Sequence, residues 1–103
     1  MAGAVKEKDN EMTAVQSIAQ LVRSGLSPKV IKERLDDYHA NDIADALDIL
    51  QPNERAILYR LMDVDSLSDV MEYSDDADKY LEEMNPRKAS DILAHMEPDT
   101  AVD

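Results

Sequence analysis

The residues of this sequence best suited to chemistry are carboxylates placed at helix beginnings. Asp75, Asp76 and Asp78 follow Ser74, and Asp99 follows Pro98, with Asp103 four residues further on. Acids in a first turn complement the positive end of the helix dipole, and aspartate caps free amides, so each has a purely structural use. Asp99 and Asp103, at i and i+4, share one helix face, where like charges repel unless a cation joins them. Magnesium takes oxygen ligands, keeps several waters and is often held by only one or two protein carboxylates. This neighbourhood can therefore supply part of a Mg²⁺ site, one that needs a second surface to complete it.

Other chemistry is excluded by residue type or spacing. The run Asp63-Val64-Asp65-Ser66-Leu67-Ser68-Asp69 begins like a calcium loop. Counting from Asp63, however, Leu67 stands fifth, Ser68 sixth where the turn requires glycine, and Ser74 twelfth where a bidentate glutamate is needed, so it is no EF-hand. His39 and His95 have no cysteine or second histidine at ligand spacing, which argues against zinc. His39 lies at a helix approach and His95 near a helix end, where an imidazolium suits the dipole. With no cysteine, no glycine-rich phosphate loop and no nucleophile elbow, the sequence reads as a binding domain and not an enzyme.

The elements that position these carboxylates are short amphipathic helices. Val15, Ile18 and Val22 fall on one face, and Gly25 can take the left-handed conformation that ends a helix. Ser27-Pro28 starts the next, with Val30, Ile31 and Leu35 inward. Asn41 is expected to cap a helix with Ile43, Ala46, Leu47 and Leu50 inside. Pro52-Asn53 opens one with Ala56, Ile57, Leu58 and Leu61, and Ser66 precedes Leu67, Val70 and Met71. Ser74 is expected to cap a segment carrying Ala77, Tyr80, Leu81 and Met84. Asn85-Pro86 begins one with Ala89, Ile92, Leu93 and Met96, and Pro98 another. Residues 1–11 lack helical periodicity and read as a flexible leader to a domain spanning residues 12–103.

The last strong apolar positions of these segments, Leu50, Met62, Tyr73, Met84 and Met96, recur every 11 or 12 residues. A helix pair thus occupies about two such periods. Helices this short cannot bury their own stripe, but stacked side by side they build a continuous core, so the fold class is all-α, a solenoid of helix-turn-helix repeats. A closed bundle, the alternative, usually needs longer helices.

Charge narrows the partners. Residues 1–35 carry a net +2 and residues 36–103 a net -14, giving -12 for the 103-residue chain. A surface this acidic repels phosphate backbones and anionic lipid heads, which argues against nucleic acid or direct membrane contact and favours cations or a basic partner. Solubility alone is the plainer use of such charge. The longest apolar run, Ala56-Ile57-Leu58-Tyr59, is far short of the roughly 20 residues that span a bilayer.

Two stretches carry a resemblance. His39-Ala40-Asn41-Asp42-Ile43-Ala44-Asp45-Ala46-Leu47, followed by Leu50-Gln51-Pro52-Asn53-Glu54-Arg55-Ala56 and Leu58-Tyr59-Arg60-Leu61, resembles the N-domain pattern of MgtE-type magnesium transporters, and Met96 to Asp103 is similar to that family's acidic run. Ala40 stands where the pattern usually has proline, and Thr100 where it has a second aspartate. The similarity covers roughly residues 15–103.

The resemblance implies a right-handed superhelical stack of helices at the cytoplasmic face of the membrane. In the full protein, a dimer, that stack would be joined to a pair of CBS modules and a transmembrane pore. It implies further that Mg²⁺ binds between acidic surfaces of this domain and the CBS modules and favours the closed pore, with Asp69, Asp99 and Asp103 matching the acidic sites. On this reading the chain is a piece of a longer protein. The stretch Met84 to Leu93 also resembles repeats of flagellar motor switch proteins of the FliG type, which implies a metal-free scaffold as the alternative.

Overall fold

A computed structural model describes residues 13–96, and all regular structure among them is helical. The helices are α1 (Ala14–Arg23), α2 (Pro28–Leu35), α3 (Ala40–Ile49), α4 (Pro52–Leu61), α5 (Val64–Glu72), α6 (Ala77–Glu83) and α7 (Pro86–Met96). The leader, the segment opened by Pro98, and with it Asp99 and Asp103, lie outside the described residues.

Most boundaries follow from local chemistry. Thr13, Ser27 and Asp63 each accept a hydrogen bond from the amide three residues on, which satisfies an otherwise free donor of the first turn. Pro28, Pro52 and Pro86 each occupy the first helical position, where no amide is needed. Gln51 N–H donates to Glu54 Oε1 at 2.8 Å, closing the start of α4 from the backbone side. Gly25, just past the end of α1, takes φ 79°, the left-handed conformation that glycine adopts without penalty.

Three expected starts are corrected. Asn41 does not cap α3; His39 does, and its carbonyl accepts from both Asp42 and Ile43 N–H. Beginning at Ala40 places that residue on the same face as Ile43, Ala44 and Leu47, so burial decides the register. Ser66 lies inside α5, whose cap is Asp63. Ser74 does not cap α6 but closes the preceding turn, its Oγ accepting from Asp76 N–H at 3.1 Å, and Asp76 is the cap residue.

The helices divide by parity. α1 packs on α3, α3 on α5 and α5 on α7, forming one continuous row, while α4 lies against α1 and α6 against α7. The row is cemented by side chains with essentially no exposure: Ile18 of α1, Leu47 of α3, Leu67, Val70 and Met71 of α5, and Ile92 of α7. Each such side chain contributes about 2–3 kcal/mol of transfer free energy before the entropy of ordering it. Ser68 is buried in the same row and donates to Val64 O at 2.7 Å, which removes the cost of its hydroxyl.

α4 departs from the expected inner face. Ala56 is exposed, and the buried positions are Arg55, Leu58 and Tyr59, so the helix turns a polar pair inward. In α7, Leu93 is 43% exposed, not inward as its spacing suggests.

Nothing crowds a Cβ built at Gly25, so Gly25→Ala isolates the conformational cost of φ 79°. The expected loss is about 1 kcal/mol in urea unfolding, and a midpoint equal to or above that of the parent chain would contradict this assignment.

Candidate functional site

Asp69 sits on the exposed side of α5. It lines a recess of about 150 Å³ bounded by Lys32, Leu35 and Asp36 from the end of α2, Tyr38, Ala40 and Ile43 from the approach to α3, and Met62, Asp63, Ser66 and Val70 around α5. Three carboxylates and one ammonium therefore share its wall. Asp63 Oδ1 accepts from Ser66 N–H at 3.0 Å, and this bond, the Ser66 side chain and the nearby Lys32 charge hold the Asp63 carboxyl below its ordinary range. Asp63 is thus charged and partly committed to its helix, while Asp69 makes no hydrogen bond or ion pair among the described residues.

The donor set is hard oxygen, the chemistry that Mg²⁺ requires, but it is sparse. Among the described residues no three His, Cys, Asp or Glu side chains are grouped so as to hold a metal ion. The described donors therefore form no closed, all-protein cage. Asp36 and Asp63 share the recess with Asp69, a neighbourhood that sequence reasoning did not give. The capping relation between Asp63 and Ser66 was a readable signal, but the approach of Asp36 depends on how α2 docks.

The other expected acids are placed differently. Asp76 is the cap residue of α6 and Asp78 lies in its first turn, the dipole arrangement anticipated for them. His95 Nε2 lies 3.3 Å from Asp65 Oδ1, linking the end of α7 to the start of α5 at the surface.

A second polar assembly lies at the opposite extreme of exposure. Arg55, 5% exposed, donates from Nη1 to Leu47 O at 3.2 Å and Leu50 O at 2.6 Å, and from Nε and Nη2 to the two oxygens of Glu83 at 2.8 and 2.6 Å. Tyr59 donates to Glu83 Oε1 at 2.8 Å, and Tyr80 donates to Asp48 Oδ1. The Arg55 guanidinium also lies 5.1 Å from the Tyr80 ring centroid. Burial first, and then the neighbouring carboxylate, push both phenols above their ordinary values, so they remain neutral donors throughout the physiological range. Every buried side-chain polar atom among the described residues has a partner.

Together, the row of short helices and the acidic recess beside Asp69 define an all-helical, acidic domain. The family model of the MgtE intracellular N domain matches residues 38–103, well over half of the chain, and the chain belongs to that family. The membership ties it to magnesium transport as a regulatory domain and to no enzyme family. Neither a curated protein nor a solved structure gave a match. The family match begins at Tyr38, so α1 and α2 lie before it, although α1 packs directly on the matched α3 and α4. No helix among the described residues is long and apolar enough to cross a membrane.

The Arg55–Glu83 pair gives a test of the buried assembly. Glu83→Ala strands a nearly buried guanidinium and is expected to cost about 3 kcal/mol, the lower end for breaking such a pair because Glu83 keeps some solvent contact. Arg55 holds the Glu83 carboxyl below its ordinary value of 4.5. Its stabilisation is therefore full above that value and is lost as pH falls through the lower folded value. Urea midpoints measured from neutral to acid pH should fall along that limb, and less steeply in Glu83→Gln; identical slopes would contradict the linkage.

Proposed function

We propose that the chain is a Mg²⁺-responsive regulatory domain of a magnesium transporter, acting as one half of a binding surface whose other half belongs to CBS modules of the same full-length protein. The observation that carries this reading is the family membership, with Asp69 on the wall of an acidic, oxygen-lined recess. Asp69, Asp99 and Asp103 are the proposed ligands from this side. One domain offers too few donors to hold the ion tightly, which suits a site that must fill and empty as the cytosolic concentration changes.

The proposed mechanism is electrostatic. Two acidic faces repel one another, and a divalent ion between them replaces repulsion with shared coordination, so ion binding and domain docking are linked free energies of one magnitude. Docking favours the closed pore; loss of the ion releases the domain and favours opening. On this reading the helical domain spans residues 12–103 behind a leader of residues 1–11, and its row of helices continues as a right-handed superhelical stack. The full-length protein is a dimer with this part at the cytoplasmic face of the membrane. The alternation of packed odd helices, each pair spanning about two of the 11- to 12-residue periods, supports the stack. The family match gives the flagellar-scaffold alternative no support.

A Mg²⁺ titration of the ¹⁵N-labelled chain, with ionic strength matched by sodium, should give saturating amide shifts confined to Asp69 and its recess and to Asp99–Asp103. Asp69→Ala with Asp99→Ala should weaken that response by at least about tenfold. Uniform shifts that never saturate, or an unchanged response in the double variant, would remove these residues from the assignment.

A further inference from the structure

We propose that the groove between α4 and the α6–α7 junction is a binding site for an organic phosphate, a ligand pairing a dianionic head with an apolar or aromatic body. It is independent of the magnesium reading and lies outside the Asp69 recess. The cavity measures about 620 Å³, within the range that takes small ligands, and is lined by Ala56, Tyr59, Val64 and Met84 on its apolar side. Arg60, Arg87 and Lys88 line the same groove.

The charge distribution is what singles this groove out. In a chain of net charge -12, three cationic side chains line one groove against two carboxylates, Glu83 and Asp91. Glu83 is already neutralised by both of its contacts to Arg55. Arg60 and Arg87 form no side-chain hydrogen bond or ion pair among the described residues, so their planar donor forks remain available for the bidentate contacts that phosphate accepts. Lys88 cannot swing away: its ammonium donates to Met62 O at 2.7 Å and to Tyr59 O, which fixes a positive charge beside the apolar wall. Two guanidinium groups with free donors, one anchored ammonium and an apolar flank together match a phosphate monoester better than a neutral ligand or a second cation. A carboxylate, with one charge, would leave more of that positive charge unmet.

The test uses the 103-residue chain and phenyl phosphate, with inorganic phosphate and benzyl alcohol as probes of each half of the ligand. Phenyl phosphate should give saturating amide shifts at Tyr59, Val64, Met84 and Asn85, with an affinity roughly tenfold above that of either half-probe. Arg60→Gln with Arg87→Gln should abolish saturation, and Arg87→Gln alone should weaken it. Lys29→Gln with Arg34→Gln changes net charge equally and should leave binding intact; circular dichroism checks that each variant folds. Diffuse shifts without saturation, equal affinity for inorganic phosphate, or equal losses in the two double variants would overturn the proposal.

Discussion

The end of α3 is where this fold would come apart without Arg55. A helix leaves its last carbonyls without internal partners, and α3 has no basic residue in its final turn to serve them. The guanidinium of Arg55, delivered by the helix that follows, reaches back to the carbonyls of Leu47 and Leu50 and spends its remaining donors on Glu83. One side chain thereby joins the end of α3, the first turns of α4 and the end of α6. The row of odd helices is held by apolar burial, whereas α4 and α6 are also tied to it by this polar clasp. A buried ion pair adds little net stability compared with a well-packed apolar substitute. What it adds here is direction, because five guanidinium donors with fixed geometry accept only one placement of three helix ends.

The same solution recurs one period along the chain. Lys88 serves the carbonyls of Tyr59 and Met62, each 12 residues after those served by Arg55, and Arg23 donates to Ile49 O while gripping Glu54. Leu50 and Met62 both leave their helices in extended conformation and are buried as they do so. Carbonyls turned away from solvent at these two exits are met by cations from elsewhere in the chain. At these two exits packing and capping are two expressions of one short period: the apolar residue that ends the helix is buried, and a cation meets the carbonyls there.

The apolar half of this scheme was legible in the sequence and the polar half was not. Ile43, Ala46, Leu47 and Leu50, or Leu67, Val70 and Met71, announce their face by spacing, and Ser27-Pro28, Pro52, Asn85-Pro86 and Gly25 announce boundaries through backbone chemistry that acts within four residues. Asn41, Ser66 and Ser74 misled because several polar residues near a start can each cap, and the register that buries the apolar face selects among them. Arg55 and Tyr59 look like ordinary surface residues in one dimension, and Ala56 looks like core; only the approach of Glu83, 28 residues from Arg55, makes the inward turn affordable. Asp69 came to notice through the family resemblance, and the structure shows only that it is exposed on the wall of a recess. Its neighbours Asp36 and Asp63 became visible only when the fold placed the end of α2 and the start of α5 around one recess.

α5 shows how the domain can keep an acidic surface without losing its fold. Asp65, Asp69 and Glu72 fall at i, i+4 and i+7, all exposed on one stripe, with no basic residue in the last turn to offset Glu72. Such a stripe costs a few tenths of a kcal/mol per pair and works against the dipole at its C-terminal end. The opposite face buries Leu67, Val70 and Met71 almost completely, a gain several times larger. The repulsion is consequently too weak to melt the helix but is held in a fixed array by it. A flexible acidic loop would spread its charges and relax; a helix anchored by its buried face cannot, so Asp69 and Glu72 stay at close spacing beside Asp65, which alone of the three has a partner, His95, at 3.3 Å among the described residues. That rigidity keeps the modest repulsion along α5 from being relaxed by a change of backbone conformation.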